Sequence, residues 1–180
     1  MIPQHYPIEV GKLYAGEYPG DRNPDVARTR LRSLITLGIR TFVDLTALAD
    51  RMALYEKLLA ELEEEAGGPL RRISLPIADM GIPEAGGTMQ TILRQIRESS
   101  SLTPAVYVLC WGGIGRTGTV VGCWLRECGY DPESALAQVQ HLYASHMPKV
   151  RIHPESPQTP AQKDYIRFWQ PSGDRWQSPI

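Results

Sequence analysis

A cysteine and an arginine bracket a glycine-rich stretch in the middle of the chain. The five residues between Cys110 and Arg116 are Trp111, Gly112, Gly113, Ile114 and Gly115. Glycine tolerates backbone angles that turn successive N–H groups inward, and inward N–H groups beside a helix N-terminus bind phosphate. The same field stabilises a thiolate, which predicts a reactive nucleophile at Cys110. Because the planar guanidinium of Arg116 can hold two phosphate oxygens, the stretch predicts nucleophilic chemistry on a phosphate group.

Residues 110–118, which continue through Thr117 and Gly118, resemble the signature of the cysteine-based protein phosphatases. The match is to the small dual-specificity and tyrosine phosphatases of bacterial type. The resemblance implies that Cys110 attacks phosphorus, that the loop amides and Arg116 bind the phosphate, and that the Thr117 hydroxyl bonds the thiolate. The alternative is a tight strand-to-helix turn with a buried cysteine, but a turn does not call for both Cys110 and Arg116.

One position departs from this signature. The family usually has His just before the nucleophile, where this chain has Leu109, and in the family that His helps to hold the thiolate and the loop. The replacement bears on the pKa of the Cys110 thiol and on the reaction rate near neutral pH. The groups that remain to stabilise the thiolate are the loop amides, Arg116 and the Thr117 hydroxyl.

A loop rich in proline and glycine, residues 75–84, carries an acidic residue at its centre, Asp79. Loops of this kind can close over a ligand. In the resembled family, a proline-containing loop at about this distance before the nucleophile supplies the general-acid Asp, which protonates the leaving alcohol. The resemblance therefore implies this role for Asp79. The alternatives are that Asp79 caps the next helix or turn, and that Glu84 is the acid.

Two further polar residues have a chemical and a capping interpretation. Ser156 to Gln162 resembles the stretch that brings a Gln near the hydrolytic water in tyrosine phosphatases, which makes Gln162 a candidate for positioning water. Thr159 and Gln162 also have the spacing of a capping box, and we favour the cap. Asp44 lies near the end of a predicted strand, where we expect it to cap the following loop rather than to do chemistry.

Apolar periodicity and turn residues predict the elements that hold these groups. A small hairpin is expected within residues 7–15. Strands are expected over Ile39–Leu45, Leu70–Leu75 and Ala105–Leu109. Helices are expected from Pro24 to Gly38, Arg51 to Ala66, Thr88 to Ser100, Arg116 to Gly129, Pro132 to Ser145 and onward from Pro160. The alternation predicts an α/β fold, with a mostly parallel central sheet flanked by helices on both faces. The site belongs at the carboxyl end of Ala105–Leu109.

Composition limits the class of protein. The 180 residues suit a single domain over 1–180, with 170–180 as a loosely held tail. A net charge of −1 gives no pull toward nucleic acid or membrane. Three widely spaced cysteines, with no signal peptide and no long apolar run, favour a reducing cytoplasm. We expect a cytoplasmic monomer whose partner is a phosphorylated protein or peptide, with no metal or cofactor.

These features together predict a protein phosphatase that hydrolyses phosphotyrosine, with phosphoserine and phosphothreonine as further substrates, through a cysteinyl-phosphate intermediate. Leu109 motivates one alternative, a catalytically weak module that binds phosphate or a phosphoprotein. A second alternative is a redox enzyme such as an arsenate reductase, in which Cys123 or Cys128 would resolve the oxidised nucleophile. The loop around Asp79 argues against the redox alternative.

Overall fold

The computed structural model describes residues 2–173, which form a five-stranded sheet with the order β1-β2-β5-β3-β4. The strands are β1 (His5–Glu9), β2 (Leu13–Glu17), β3 (Ile39–Asp44), β4 (Arg71–Ser74) and β5 (Ala105–Cys110). β1 pairs with β2 in an antiparallel hairpin, and the other pairs are parallel. Every residue of β5 is buried, as is typical of a parallel strand covered on both faces. The predicted α/β fold with a mostly parallel sheet is confirmed.

Six helices connect and cover these strands within the described residues. They are α1 (Pro24–Thr36), α2 (Glu56–Ala66), α3 (Thr88–Leu102), α4 (Gly115–Glu127), α5 (Pro132–His146) and α6 (Pro160–Phe168). α1 and α5 begin as the sequence predicts. The side chains of Asn23 and Asp131 accept backbone N–H groups of the first turn, and proline occupies the first helical position.

The helices lie in two layers, one on each face of the sheet. α1 and α2 bury their apolar residues against one face, which carries Phe42, Tyr107 and Leu109. α3, α4, α5 and α6 pack against the other face, which carries Val108 and Cys110. Successive side chains of a strand point to opposite faces. Leu109 and Cys110 therefore face different layers of the core.

The predicted start of the second helix at Arg51 is wrong. Residues Leu48–Asp50 form a short 3-10 turn, Arg51 adopts a left-handed backbone conformation with φ of 53°, and α2 begins only at Glu56. A left-handed residue cannot continue a right-handed helix. Residues 51–55 therefore lie outside any helix, although their apolar spacing fits one.

The remaining predicted boundaries lie within a few residues of those observed. Pro148–Arg151 forms a 3-10 turn after α5. Of the predicted loose tail, residues 174–180 lie outside the described residues. Among residues 2–173, no helix combines the length and the apolar character that crossing a membrane requires.

Candidate active site

The glycine-rich stretch lies at the carboxyl end of β5, where the chain passes into α4. Cys110 is the last residue of the strand, and Gly115 is the first of the helix. Gly113 has φ of 68°, and a Cβ built on it would lie 2.3 Å from the carbonyl carbon of Gly16. No other residue type fits this position without a shift of the β2 end. The close approach of loop and strand therefore requires the second glycine.

Three groups outside the loop hold its carbonyls. The backbone N–H of Tyr18 donates to Trp111 O (3.1 Å), the Lys149 ammonium to Gly112 O (3.0 Å), and the buried Ser156 hydroxyl to Ile114 O (2.9 Å). In a planar trans peptide, the following N–H points opposite to the carbonyl. These bonds therefore help to fix the direction of the loop amides.

Sequence reasoning did not single out Lys149 or Ser156. Each comes from a segment distant in the chain, so no local pattern could have found them. Lys149 also bonds the Glu17 carboxylate at 2.5 Å, which ties the loop to the end of β2.

Arg116 lies in the first turn of α4, and its side chain is buried. Its Nη1 donates to Asp50 Oδ2 (2.6 Å) and to the carbonyl of Ile77 (3.1 Å), and its Nη2 lies 2.9 Å from Asp79 Oδ1. Burial alone lowers the pKa of Arg116, but the charges of Cys110 and of the two carboxylates outweigh burial and raise the pKa. The guanidinium is therefore a permanent positive charge beside Cys110.

Asp50 is a site residue that the sequence prediction missed. Its side chain is 4% exposed, and its Oδ2 accepts from Arg116 and also from the backbone N–H of Ala47. The apolar pattern predicted a helix over the residues that follow Asp50, and it gave no indication that Asp50 belongs to the site. The spacing between Asp50 and Arg116, more than sixty residues apart in the chain, carries no local signal.

Asp79 reaches the same guanidinium from the loop that follows β4. Its side chain is 50% exposed, whereas that of Asp50 is buried. The next residue, Met80, has φ of 58°, a conformation that non-glycine residues seldom adopt and that marks functional sites. The structure thus brings Asp79 and Cys110 into one cleft. Glu84, the alternative acid, is exposed and lies outside the described residues that line the cleft.

Thr117 is fully buried, and its hydroxyl has no hydrogen-bond partner among residues 2–173. The bond to the Cys110 sulfur that the resemblance implies is therefore not formed in the structure. The hydroxyl is nevertheless an unused donor one residue past Arg116.

Gln162 does not line the cleft. It is fully buried, and its Oε1 accepts from the backbone N–H groups of Gln158 and Thr159, while its Nε2 donates to Gly81 O at 3.0 Å. The capping box is present, as favoured from the sequence. Gln158 lines the cleft instead, and its Oε1 would come within 2.8 Å of a Cβ on Gly115. Both glutamines thus lie beside Gly115, but Gln158 lines the cleft and Gln162 does not.

The cleft above the loop has a volume of about 480 Å³. Cys110 and Arg116 form its floor together with the loop backbone, and Asp79 stands at one wall. Exposed Trp111, Met80 and Ile152 supply apolar surface at the rim, and His153 also lines the cleft. A narrow polar floor with an apolar rim suits a phosphate group carried on an organic body.

Leu109, at the position of the family's usual His, is fully buried in the apolar layer with Tyr107 and Phe42. Asp44, at the end of β3, is also buried. It accepts from the backbone N–H and hydroxyl of Thr46 and pairs with Arg72 at 2.8 Å. The predicted capping role of Asp44 is confirmed.

The other two cysteines lie along α4 and are free thiols. Burial raises the pKa of the Cys128 thiol to about 11 and raises that of Cys123 further. Both thiols are therefore poor nucleophiles near neutral pH, which disfavours a resolving role. Among the described residues, no group of three His, Cys, Asp or Glu side chains is placed to hold a metal ion.

Comparisons with known structures agree with this architecture. The kinase associated phosphatase KAP superposes with a TM-score of 0.69 at 20% identity, covering 92% of this chain and 93% of that chain. The catalytic domain of the PP-IP phosphatase SIW14 from S. cerevisiae gives 0.66 at 14% identity, covering 96% and 90%. At these identities the likeness shows the fold alone.

Sequence comparisons identify a relative and a family. Protein 067L of Invertebrate iridescent virus 3, named as a candidate tyrosine phosphatase, is 30% identical over 146 residues, or 77% of this chain. The alignment spans only 56% of that viral protein. The family model of the Swiss Army Knife phosphatases (PTP-SAK), described as a DSP-PTPase phosphatase domain, matches residues 22–164. The chain therefore belongs to the PTP-SAK family of dual-specificity-type phosphatase domains.

Proposed function

We propose that the chain is a protein phosphatase that hydrolyses phosphotyrosine through a cysteinyl-phosphate intermediate, with phosphoserine and phosphothreonine as further substrates. The observation that carries this proposal is that Asp79, from a separate segment of the chain, lines the same cleft as Cys110 and Arg116 and pairs with Arg116. A phosphate-binding module needs the loop and the arginine. A hydrolase also needs an acid for the leaving group, and the position of Asp79 in the cleft supports this role for it.

In the first step, the phosphate of the substrate occupies the loop, and its oxygens take up the loop N–H groups and Arg116. The Cys110 thiolate attacks phosphorus, so that an S–P bond forms and the P–O bond to the alcohol breaks. Asp79 transfers its proton to the departing oxygen. Backbone dipoles and Arg116 stabilise the charge on the equatorial oxygens, and the proposed step uses no metal.

Arrival of the phosphate also frees the Asp79 side chain. Asp79 Oδ1 lies 2.9 Å from Arg116 Nη2, and the phosphate oxygens bind the same guanidinium. The half-exposed carboxyl group can then reach the departing oxygen, as a general acid must.

In the second step, water attacks phosphorus and Asp79 accepts its proton. The S–P bond breaks, inorganic phosphate leaves, and the Cys110 thiolate is restored. Gln158 lies beside Gly115 at the cleft wall, and we assign it the positioning of this water in place of Gln162. The Thr117 hydroxyl, which has no other partner among residues 2–173, is the donor that can bond the leaving thiolate.

The rim and the loop support a protein substrate. Trp111 is 58% exposed beside the nucleophile, where an aromatic ring of the substrate can rest on it. None of the five residues between Cys110 and Arg116 is a lysine, which weighs against inositol lipids that carry extra phosphates.

The proposal is tested by hydrolysis of para-nitrophenyl phosphate between about pH 5 and 8, with EDTA present. We expect turnover by the wild type, none by Cys110→Ser, and a loss of about a hundredfold or more in kcat for Asp79→Asn. Glu84→Gln is the matched control, because Glu84 is exposed away from the cleft, and its rate should stay near that of the wild type.

Two results would contradict this assignment. A wild-type rate in Asp79→Asn together with a loss of rate in Glu84→Gln would mean that Glu84, and not Asp79, is the general acid. Absence of turnover in the wild type, with retained binding of a phosphotyrosine peptide, would favour the alternative of a binding module.

A further inference from the structure

A second groove adjoins the active-site cleft on the far side of Trp111. It has a volume of about 570 Å³ and lies between the segment after β2 and the segment before α2. Trp111 and Glu17 line both depressions. Asp50, the partner of Arg116, also lines the groove. A substrate whose phosphate sits over Cys110 can therefore extend across Trp111 into this groove.

Three arginines line the groove, and only Arg30 has a carboxylate partner among residues 2–173, Asp21. The side chains of Arg22 and Arg51 are exposed and make no hydrogen bond or ion pair with any residue in the described range 2–173. Arg30 reaches Asp21 only at 3.4 Å and Gly20 O at 3.3 Å, and its buried Nε has no acceptor among those residues. The groove therefore has unused guanidinium donors.

Two other arginines of α1, the helix that carries Arg30, are tightly paired. On α1, Arg28 bonds Glu61 at 2.7 Å and Arg32 bonds Glu65 at 2.6 Å, both across to α2. Arg30 lies between them in the sequence but faces the groove. Within α1, Arg28 and Arg32 therefore have close glutamate partners, whereas Arg30 at the groove does not.

Acidic residues of the groove leave Arg22 and Arg51 uncompensated, because each has another partner. Glu17 binds Lys149 at 2.5 Å, and Asp50 binds Arg116 at 2.6 Å. Asp21 pairs with Arg30 at 3.4 Å and accepts the backbone N–H of Asn23 at 2.9 Å. The charges left without a partner in the groove are therefore those of Arg22 and Arg51, and guanidinium groups bind carboxylate and phosphate oxygens in bidentate fashion.

We propose that this groove is a specificity subsite for a second anionic group of the substrate, an acidic side chain or a second phosphoryl group near the phosphotyrosine of a peptide. Arg22 and Arg51 bind that group, and Arg30 supports it from the wall. Trp111 separates the two anion sites. The proposal rests on the proposed function, since it names the substrate that the cleft selects.

Binding to the full-length Cys110→Ser protein tests the proposal without turnover. Three phosphotyrosine peptides differ only in their flanking positions, which carry glutamine, glutamate or phosphoserine. We expect the glutamate and phosphoserine peptides to bind about tenfold more tightly than the glutamine peptide at low salt, with the ratio falling as salt is raised. Adding Arg22→Gln and Arg51→Gln should bring the ratio close to one.

Arg71→Gln in the same background is the control. Arg71 is an exposed arginine at the start of β4, outside the groove and without an ion pair among the described residues. It should leave the ratio unchanged, which separates a local subsite from a general loss of positive charge.

The possible failures are distinguishable. Equal affinity for all three peptides, or an unchanged ratio in the double variant, overturns the subsite while the proposed function stands. Failure to bind any phosphotyrosine peptide overturns the proposed function and the subsite with it. Tighter binding of inositol hexakisphosphate than of the glutamate and phosphoserine peptides, lost in the double variant, would replace the peptide by a polyphosphorylated small molecule and overturn the stated occupant.

Discussion

At the scale of single residues, Arg116 is a buried cation held by two carboxylates of different character. Asp50 is enclosed, and the oxygen that binds Arg116 also accepts the backbone N–H of Ala47, whereas Asp79 is half exposed on a loop. The enclosed partner can hold the guanidinium in place throughout the reaction, and the exposed one can leave it. This division supports the proposed proton transfer by Asp79 and leads us to expect that Asp50 orients Arg116.

Asp50→Asn should lower kcat/KM by more than tenfold. Removing the Asp50 charge leaves the buried Arg116 charge poorly compensated, which lowers the free energy of unfolding by about 3 kcal/mol. Arg116 also loses its fixed direction. Asp50 is a positioning residue, so the pH profile should keep its shape while KM rises, in contrast to Asp79→Asn. The control is Asp164→Asn, which removes an exposed carboxylate that pairs with Arg167 at 3.0 Å. An unchanged kcat/KM in Asp50→Asn would contradict the positioning role.

Leu109→His should destabilise the protein and should not improve catalysis. The side chain is enclosed with Phe42 and Tyr107 on the face of the sheet opposite to Cys110, and burying an imidazole there costs about 2 kcal/mol or more. Urea denaturation measures the loss. Leu109→Met, which keeps volume and polarity, should cost less than about 1.5 kcal/mol. Full stability with a faster rate in the His variant would show that the imidazole serves the thiolate.

At the scale of elements, the phosphate loop is shaped by contacts that arrive from β2 and from the segments after α5. Gly113 approaches Gly16 so closely that a methyl group has no room, while the nearest atoms to a Cβ on Gly112 are those of the Ile114 side chain at 3.5 Å. Two neighbouring glycines of one loop therefore have different roles. Only the second is required by packing against the sheet.

Gly113→Ala should reduce kcat/KM at least tenfold, because both the positive φ and the contact with β2 force the loop to move. Gly112→Ala is the matched variant and should cause the smaller loss. Steady-state kinetics on both proteins, with circular dichroism to establish that each is folded, measures the difference. Equal losses in the two variants would mean that the loop tolerates movement at the β2 contact.

At the scale of the whole molecule, the far end of α4 anchors the last part of the described chain. The Glu127 carboxylate is buried and accepts the Trp169 indole N–H at 2.9 Å and the Ser172 hydroxyl at 2.8 Å. Glu127 closes the helix that Gly115 opens. The anchor is thus about 18 Å from the phosphate loop along the helix axis, so stability and catalysis are separable there.

Trp169→Phe should lower the free energy of unfolding by about 1–3 kcal/mol, because a buried carboxylate loses a donor. The kcat/KM value at a temperature where the variant is folded should stay that of the wild type. Phe168→Ala is the control: its side chain is 75% exposed, and its stability should change by about 0.5 kcal/mol at most. A loss of activity in folded Trp169→Phe would show that the anchor is coupled to the site.

Local sequence patterns predicted most of the fold and the centre of the site. The apolar run of β5, the glycines after it and the caps at Asn23 and Asp131 are each written in a few adjacent residues. The family assignment followed from the same stretch and is confirmed. The predicted start of α2 was wrong because apolar periodicity could not reveal that Asp50 binds Arg116 or that Arg51 has a left-handed backbone conformation.

The sequence by itself determined that a cysteine, a glycine loop and an arginine meet at a strand end, because these groups are covalent neighbours and the backbone brings them together. Only the tertiary structure decided which distant groups complete the cleft. Asp50, Lys149 and Ser156 reach the loop from other elements, and Gln158 rather than Gln162 faces it. Their positions depend on how helices and strands pack, and packing joins residues that share no sequence spacing.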